Sequence, residues 1–218
     1  MKKLLCPSMM CANVANLQKE VQELIEAGID IFHLDVMDGS FVPNFGMGLQ
    51  DIEYICQQST QPCDVHLMVI NPEKYVEKFV QLGCQIIYIH PETDSNICRT
   101  LKKIKDLGAK PGIVVSPHTS FETVKEILFL VDYVLIMSVN PGFAGQAFLG
   151  FITQKVKQFV AASPDYNHYQ IIMDGACSLE VIKEFSRLGV DGFVLGTSAL
   201  FQQERPYKEI ISQLRMIK

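Results

Sequence analysis

The sequence has no apolar run approaching the roughly 20 residues that a bilayer span requires, so a membrane-spanning helix is not expected. It has no excess of positive charge. With 24 acidic and 19 basic residues, the formal net charge is -5, which gives the chain no electrostatic reason to seek nucleic acid or an anionic membrane surface. The apolar part of its start, Met1-Lys2-Lys3-Leu4-Leu5, is too short for a secretory signal. It contains no C-x-x-C pair, and its cysteines number seven, an odd count. Cys6, Cys56, Cys63, Cys84 and Cys98 sit in apolar or strand-like stretches, as reduced thiols of a cytoplasmic protein do. A disulfide framework or a cysteine zinc site is the alternative. Linkers and low-complexity segments are missing too, so residues 1–218 are expected to form one domain.

What is present points to a repeated unit. Hydrophobic residues make up 48% of the chain, enough for a sizeable core. An amphipathic helical stretch ending at a glycine is followed at once by an apolar strand-like run. The pattern reads LIEAGIDIFHLDV at Gly28, FVQLGCQIIYIH at Gly83, IKDLGAKPGIVVS at Gly108 and FSRLGVDGFVLG at Gly189. A glycine there supplies the left-handed helix cap, and strands alternating with helices argue for a parallel sheet. Eight strands are expected, near residues 4–8, 30–36, 63–68, 85–90, 111–116, 132–137, 170–174 and 191–196. Helices are expected between them, among them 13–27, 72–82, 179–188 and 207–216. Eight such units in one short chain favour a closed (β/α)8 TIM barrel over an open doubly wound sheet.

A barrel places its functional groups at the C-terminal ends of its strands. Those ends carry Ser8, His33 with Asp35, His66, His90, Ser116, Met137, Asp174 and Gly196. His33 and Asp35 are two residues apart on one strand and share a face. If the barrel closes, His33, Asp35, His66 and Asp174 converge on its axis. Two imidazoles and two carboxylates suit a divalent transition metal, and burying two carboxylates together is costly without a cation. Taken singly, each fits equally well as a satisfied core polar group. The loop Asn140–Gln146 holds Gly142, Phe143, Ala144 and Gly145, small residues that let backbone approach a ligand, or that simply form a turn. The turns Gly175-Ala176-Cys177 and Gly196-Thr197-Ser198 follow the last two strands, where barrels often bind phosphate; each is expected to precede a helix start. Met37, Met68 and Met137 fall near strand ends, either as core filling or as a soft cap over a reacting centre.

The segments CPSMM, HLDVMDGSFVPN, CDVHLMV, IMSVNPGFAGQAF and MDGACS resemble those of the ribulose-phosphate 3-epimerase family, over about residues 4–201. The resemblance implies that His33, Asp35, His66 and Asp174 hold one divalent metal ion (zinc, iron, manganese or cobalt). It implies that Asp35 and Asp174 are also the two catalytic carboxylates. Ser8 and His66 would contact the substrate, residues 142–145 would cover it, and Met37, Met68 and Met137 would line the reacting centre. Gly175-Ala176 and Gly196-Thr197-Ser198 would grip its phosphate. The implied partner is a phosphorylated ketose, and the implied assembly is a homo-oligomer, dimer or hexamer; apolar residues such as Phe41 or Phe45 fit a subunit contact and core packing equally well. Three features depart from the commonest pentose-phosphate pattern: Gly175-Ala176-Cys177, Gly196-Thr197-Ser198 and His90-Pro91-Glu92-Thr93. They resemble the allulose-6-phosphate 3-epimerase branch and lean the reading toward D-allulose 6-phosphate/D-fructose 6-phosphate. The alternative is D-ribulose 5-phosphate/D-xylulose 5-phosphate. Two rivals are a barrel decarboxylase or aldolase, disfavoured because no strand end carries the lysine such enzymes use, and a non-catalytic phosphosugar-binding protein.

Overall fold

The computed structural model describes residues 2–166 and 168–217. Eight strands alternate with eight helices: β1 (Leu4–Pro7), α1 (Leu17–Ala27), β2 (Phe32–Met37), α2 (Leu49–Gln58), β3 (Cys63–Met68), α3 (Val76–Gln81), β4 (Ile86–Ile89), α4 (Ile97–Asp106), β5 (Lys110–Val115), α5 (Phe121–Val124), β6 (Tyr133–Met137), α6 (Ile152–Ala162), β7 (Gln170–Asp174), α7 (Leu179–Leu188), β8 (Gly192–Leu195) and α8 (Tyr207–Arg215). All neighbouring strands pair in parallel, in the order β1-β8-β7-β6-β5-β4-β3-β2. A bridge between Ser8 and His33 joins β1 to β2, and Asp30 N–H donates to Leu5 O at 3.0 Å. The ring therefore closes, as a (β/α)8 TIM barrel.

Each expected strand is present, with ends moved by two residues at most. The expected helices over 13–27 and 72–82 are each divided. A single turn of 3-10 helix, Val14–Asn16, precedes α1, and another, Pro72–Lys74, precedes α3. In the second, Pro72 suits a helix start but Asn71 before it is left-handed, so the chain enters at an angle.

Two apolar layers follow from the alternation of side chains. Residues such as Phe32, Leu34, Val65, Leu67, Ile87 and Ile89 point outward and pack under the helices. Cys6, Tyr88, Val114, Leu135, Ile172 and Val194 point inward and fill the barrel. Gly112 makes this filling possible: a Cβ there would lie 2.7 Å from Tyr88 Cε1. The helix ring is closed by Arg215 of α8, which donates to Lys3 O at 2.5 Å and Gly28 O at 2.7 Å and pairs with Asp30 at 2.5 Å. All seven cysteines are free thiols. No helix among the described residues is long and apolar enough to cross a membrane.

Candidate metal centre

Strand register builds the site in three tiers. On β2 and β3 the inward pairs are His33 with Asp64, then Asp35 with His66, then Met37 with Met68. Asp174 ends β7 beside Met137 of β6, and Ser8 follows β1. His33, Asp35, His66 and Asp174 therefore converge, and one ligand atom from each lies within 4.8 Å of the others. Asp35 Oδ1 is 3.4 Å from His33 Nε2 and 3.2 Å from His66 Nδ1, while Asp174 Oδ2 is 3.8 Å and 3.7 Å from the same nitrogens. Ligands about 2.1 Å from a cation stand about 3.4 Å apart at tetrahedral angles, so these spacings fit one. His33 Nε2 and His66 Nδ1 are buried with no hydrogen-bond partner, as lone pairs reserved for a metal would be.

The electrostatics favour the same reading. Burial works against the Asp35 carboxylate, but the imidazoles of His33 and His66 hold it well below the usual carboxylate range. Asp174 is pushed up, by burial and by the charges of Asp35 and Asp64, only partly offset by His33 and His66. Burial lowers the proton affinity of His33, but Asp64 and Asp35 carry it well above the usual range. Buried Asp35 and Asp64, with partly exposed Asp174 beside them, crowd three carboxyl groups around two imidazoles, a concentration of acidic groups that a divalent cation would relieve.

A cleft open to solvent lies above the group. Ser8, Asp35, His66 and Asp174 line it with Met37, Met68 and Met137, Gly142–Gly145, Gly175, Ala176, Gly196, Thr197 and Ser198, so these sequence candidates share one cavity. His33 lies beneath it, wholly buried. Ser8 Oγ donates to Asp35 Oδ2 at 2.7 Å and orients that carboxylate. The loop after β6 is anchored by Asn44, whose side chain donates to Gly142 O at 2.7 Å, while Phe143 stays half exposed.

One expectation needs correction. The turn Gly175-Ala176-Cys177 does lead into α7, capped by Ser178. The turn Gly196-Thr197-Ser198 does not open a helix. It folds back on itself, with Leu200 N–H and Phe201 N–H both donating to Gly196 O, and α8 begins only at Tyr207. Phe41, a candidate subunit contact, is half buried with its ring 4.7 Å from that of His90, whereas Phe45 is 79% exposed. The sequence reading also missed Asp64. Its Oδ1 lies 2.6 Å from His33 Nδ1, close enough to favour a proton on that nitrogen and so to present Nε2 to a metal. Its one available signal was its position two residues before His66, on the same face of β3.

Among the described residues, no lysine enters the cleft from a strand end. Lys110 starts β5 at the opposite end of the barrel, near the ring of Tyr133, and Lys155 of α6 is tied to the carbonyls of Ser116 and Pro117 at 2.7 Å each.

A closed parallel barrel with a His/Asp group at its mouth and a cleft above it has the architecture of a TIM-barrel enzyme with a candidate metal site. Residues 4–201 match the family model described as "Ribulose-phosphate 3 epimerase family", and the chain belongs to that family. It is an isomerase, an epimerase of a phosphorylated ketose. The ribulose-phosphate 3-epimerase of Aquifex aeolicus is 41% identical over 99% of this chain and 96% of its own length. That of Escherichia coli K12 is 36% identical over 97% and 94%, and that of Bacillus subtilis 33% identical over 96% of both. Among solved structures, 3-hexulose-6-phosphate synthase from Salmonella typhimurium superposes with a TM-score of 0.72 at 11% identity, covering 100% of this chain and 98% of that one. Phosphoribosyl anthranilate isomerase from Thermus thermophilus gives 0.68 at 10%, covering 99% and 100%. At these identities the likeness is one of fold alone.

Proposed function

We propose that the chain interconverts D-ribulose 5-phosphate and D-xylulose 5-phosphate, with Asp35 and Asp174 as its two acid/base groups. The observation that carries the mechanism is the convergence of these two carboxylates, from β2 and β7, in one metal-ligand group at the floor of the cleft. The pentose substrate is supported by the relatives, which carry that substrate in their names. The lean toward D-allulose 6-phosphate rests on three short departures in sequence and has no such support.

The chemistry is proton exchange at carbon 3 of a 2-ketose. Carbon 3 is only weakly acidic, so its proton leaves only if the negative charge arriving on the neighbouring oxygens is stabilised. His33, Asp35, His66 and Asp174 would hold a divalent ion of zinc, iron, manganese or cobalt, which would supply that positive charge when bound. One aspartate removes the proton from one face of the carbon, and the other returns a proton to the opposite face, which inverts the centre. Ser8 holds Asp35 in position. Met37, Met68 and Met137 cover the reacting carbon with a polarizable apolar surface that keeps water from donating the proton. The turns at Gly175-Ala176 and Gly196–Ser198 hold the phosphate and fix the carbon chain between the aspartates, and Gly142–Gly145 folds over it. A homo-oligomer, dimer or hexamer, is part of the proposal, with exposed Phe45 as a contact.

The test is a parallel assay of one metal-loaded preparation on D-ribulose 5-phosphate and D-allulose 6-phosphate. The expected result is a larger kcat/KM on the pentose. Preference for the hexose would reinstate the other branch. Stripping the ion with a chelator should abolish turnover and re-addition should restore it; a metal-free enzyme of full activity would remove the cation from the scheme.

A further inference from the structure

The nitrogen of His66 that faces away from the metal group has an unusual partner. His66 Nε2 lies 2.8 Å from His90 Nε2, and both rings are wholly buried. The ring planes differ by 26° with centroids 5.0 Å apart, so the nitrogens meet head on. A contact this short between two imidazole nitrogens requires one proton between them, with one ring donating and the other accepting. Beyond it, His90 Nδ1 lies 3.1 Å from Ser116 Oγ and 3.7 Å from Glu92 Oε2. Glu92 Oε1 accepts from Thr119 Oγ1 and stands 3.7 Å from His118 Nε2, whose ring is at the surface. Phe41 covers His90.

The direction of the chain follows from hydrogen-bonding capacity. Glu92, as a carboxylate, only accepts. At 3.7 Å it makes no hydrogen bond to His90, but its negative charge favours a proton on Nδ1, which Ser116 Oγ at 3.1 Å accepts. His90 Nε2 is then a lone pair and accepts from His66 Nε2–H. His66 Nδ1 is left bare, facing Asp35 and Asp174.

We propose that His90, set by Glu92 and Ser116, is a positioning residue that locks His66 in its Nε2–H tautomer and so commits Nδ1 to the metal. This rests on the metal reading above. Asp64 does the same for His33, but through a carboxylate. The two histidine ligands are thus held by different chemistry, an anion behind one and a neutral imidazole behind the other. An anionic partner makes its ligand more basic than a neutral one does. His66 is therefore the weaker donor, and its arm of the site is the more sensitive to loss of its support.

The test is nitrogen-15 NMR of the histidine rings in the metal-free protein, paired with zinc titration against a competing chelator. Wild type should carry the His66 proton on Nε2. His90→Phe, which fills the space but cannot accept, should lose that single tautomer and bind zinc about 10- to 100-fold more weakly. His90→Gln, whose amide oxygen accepts, should recover most of the affinity. A proton on Nδ1 of His66 in wild type would overturn the proposal, and this reading needs no variant to fold. Unchanged zinc affinity in a folded His90→Phe would overturn it as well. An Nε2–H tautomer in a wild type that binds no zinc would leave the lock standing and sink the metal reading instead.

Discussion

At the scale of single residues the account rests on two aspartates whose surroundings push them apart. His33 and His66 hold Asp35 ionised, while burial and neighbouring negative charge raise Asp174. Asp174→Asn keeps the shape and removes the proton exchange. It is expected to fold normally and to lose turnover by about 10²- to 10⁴-fold, the usual worth of a general acid or base; near-normal kcat would refute the scheme. Asp64→Asn should weaken metal binding by about 10- to 100-fold through loss of the anion behind His33, read by chelator competition. Ala176 is a different kind of residue. Its φ of 45° is left-handed, where a side chain is strained and glycine is not. Ala176→Gly should therefore raise stability by up to about 1 kcal/mol in denaturant unfolding. His33, Asp35, His66 and Asp174 were legible in the sequence because polar side chains at the ends of apolar strands stand out. Asp64 and His90 were not assigned roles, because those depend on what lies across the register. The pairing of His33 with Asp64 and the meeting of His66 with His90 appear only when strands are aligned.

Among the elements, the strands were the most legible part. A strand buried on both faces reads as a short apolar run, and the glycine after the preceding helix marks where it begins. Gly28 and Gly189 do adopt the left-handed cap, at φ 81° and 106°. The turn after β8 was misread because a Gly-Thr-Ser sequence suits a helix start and a tight turn equally. What decides is whether the next residues continue the helix, and here their N–H groups fold back on Gly196 O. The interior packing makes its own prediction. Tyr88 occupies the space that a side chain at position 112 would need. Gly112→Ala should cost about 1–3 kcal/mol by overpacking, measured by urea unfolding. An unchanged midpoint would mean that Tyr88 can move aside.

At the scale of the whole molecule, closure makes the site. Only when β1 meets β2 through Ser8 and His33 does Ser8 reach Asp35, and only a closed ring brings Asp174 of β7 to the ligands on β2 and β3. The sequence supplied the residues and the order of the elements; the distance between two aspartates that are 139 positions apart (174 − 35) is a property of the ring. The most direct test of the central claim is turnover in heavy water, followed by the isotope at carbon 3 of the ketose. The account predicts deuterium at carbon 3 of the product epimer in the wild type, and none in Asp174→Asn under the same conditions. Inversion of carbon 3 with its original hydrogen retained would contradict proton exchange between the two carboxylates.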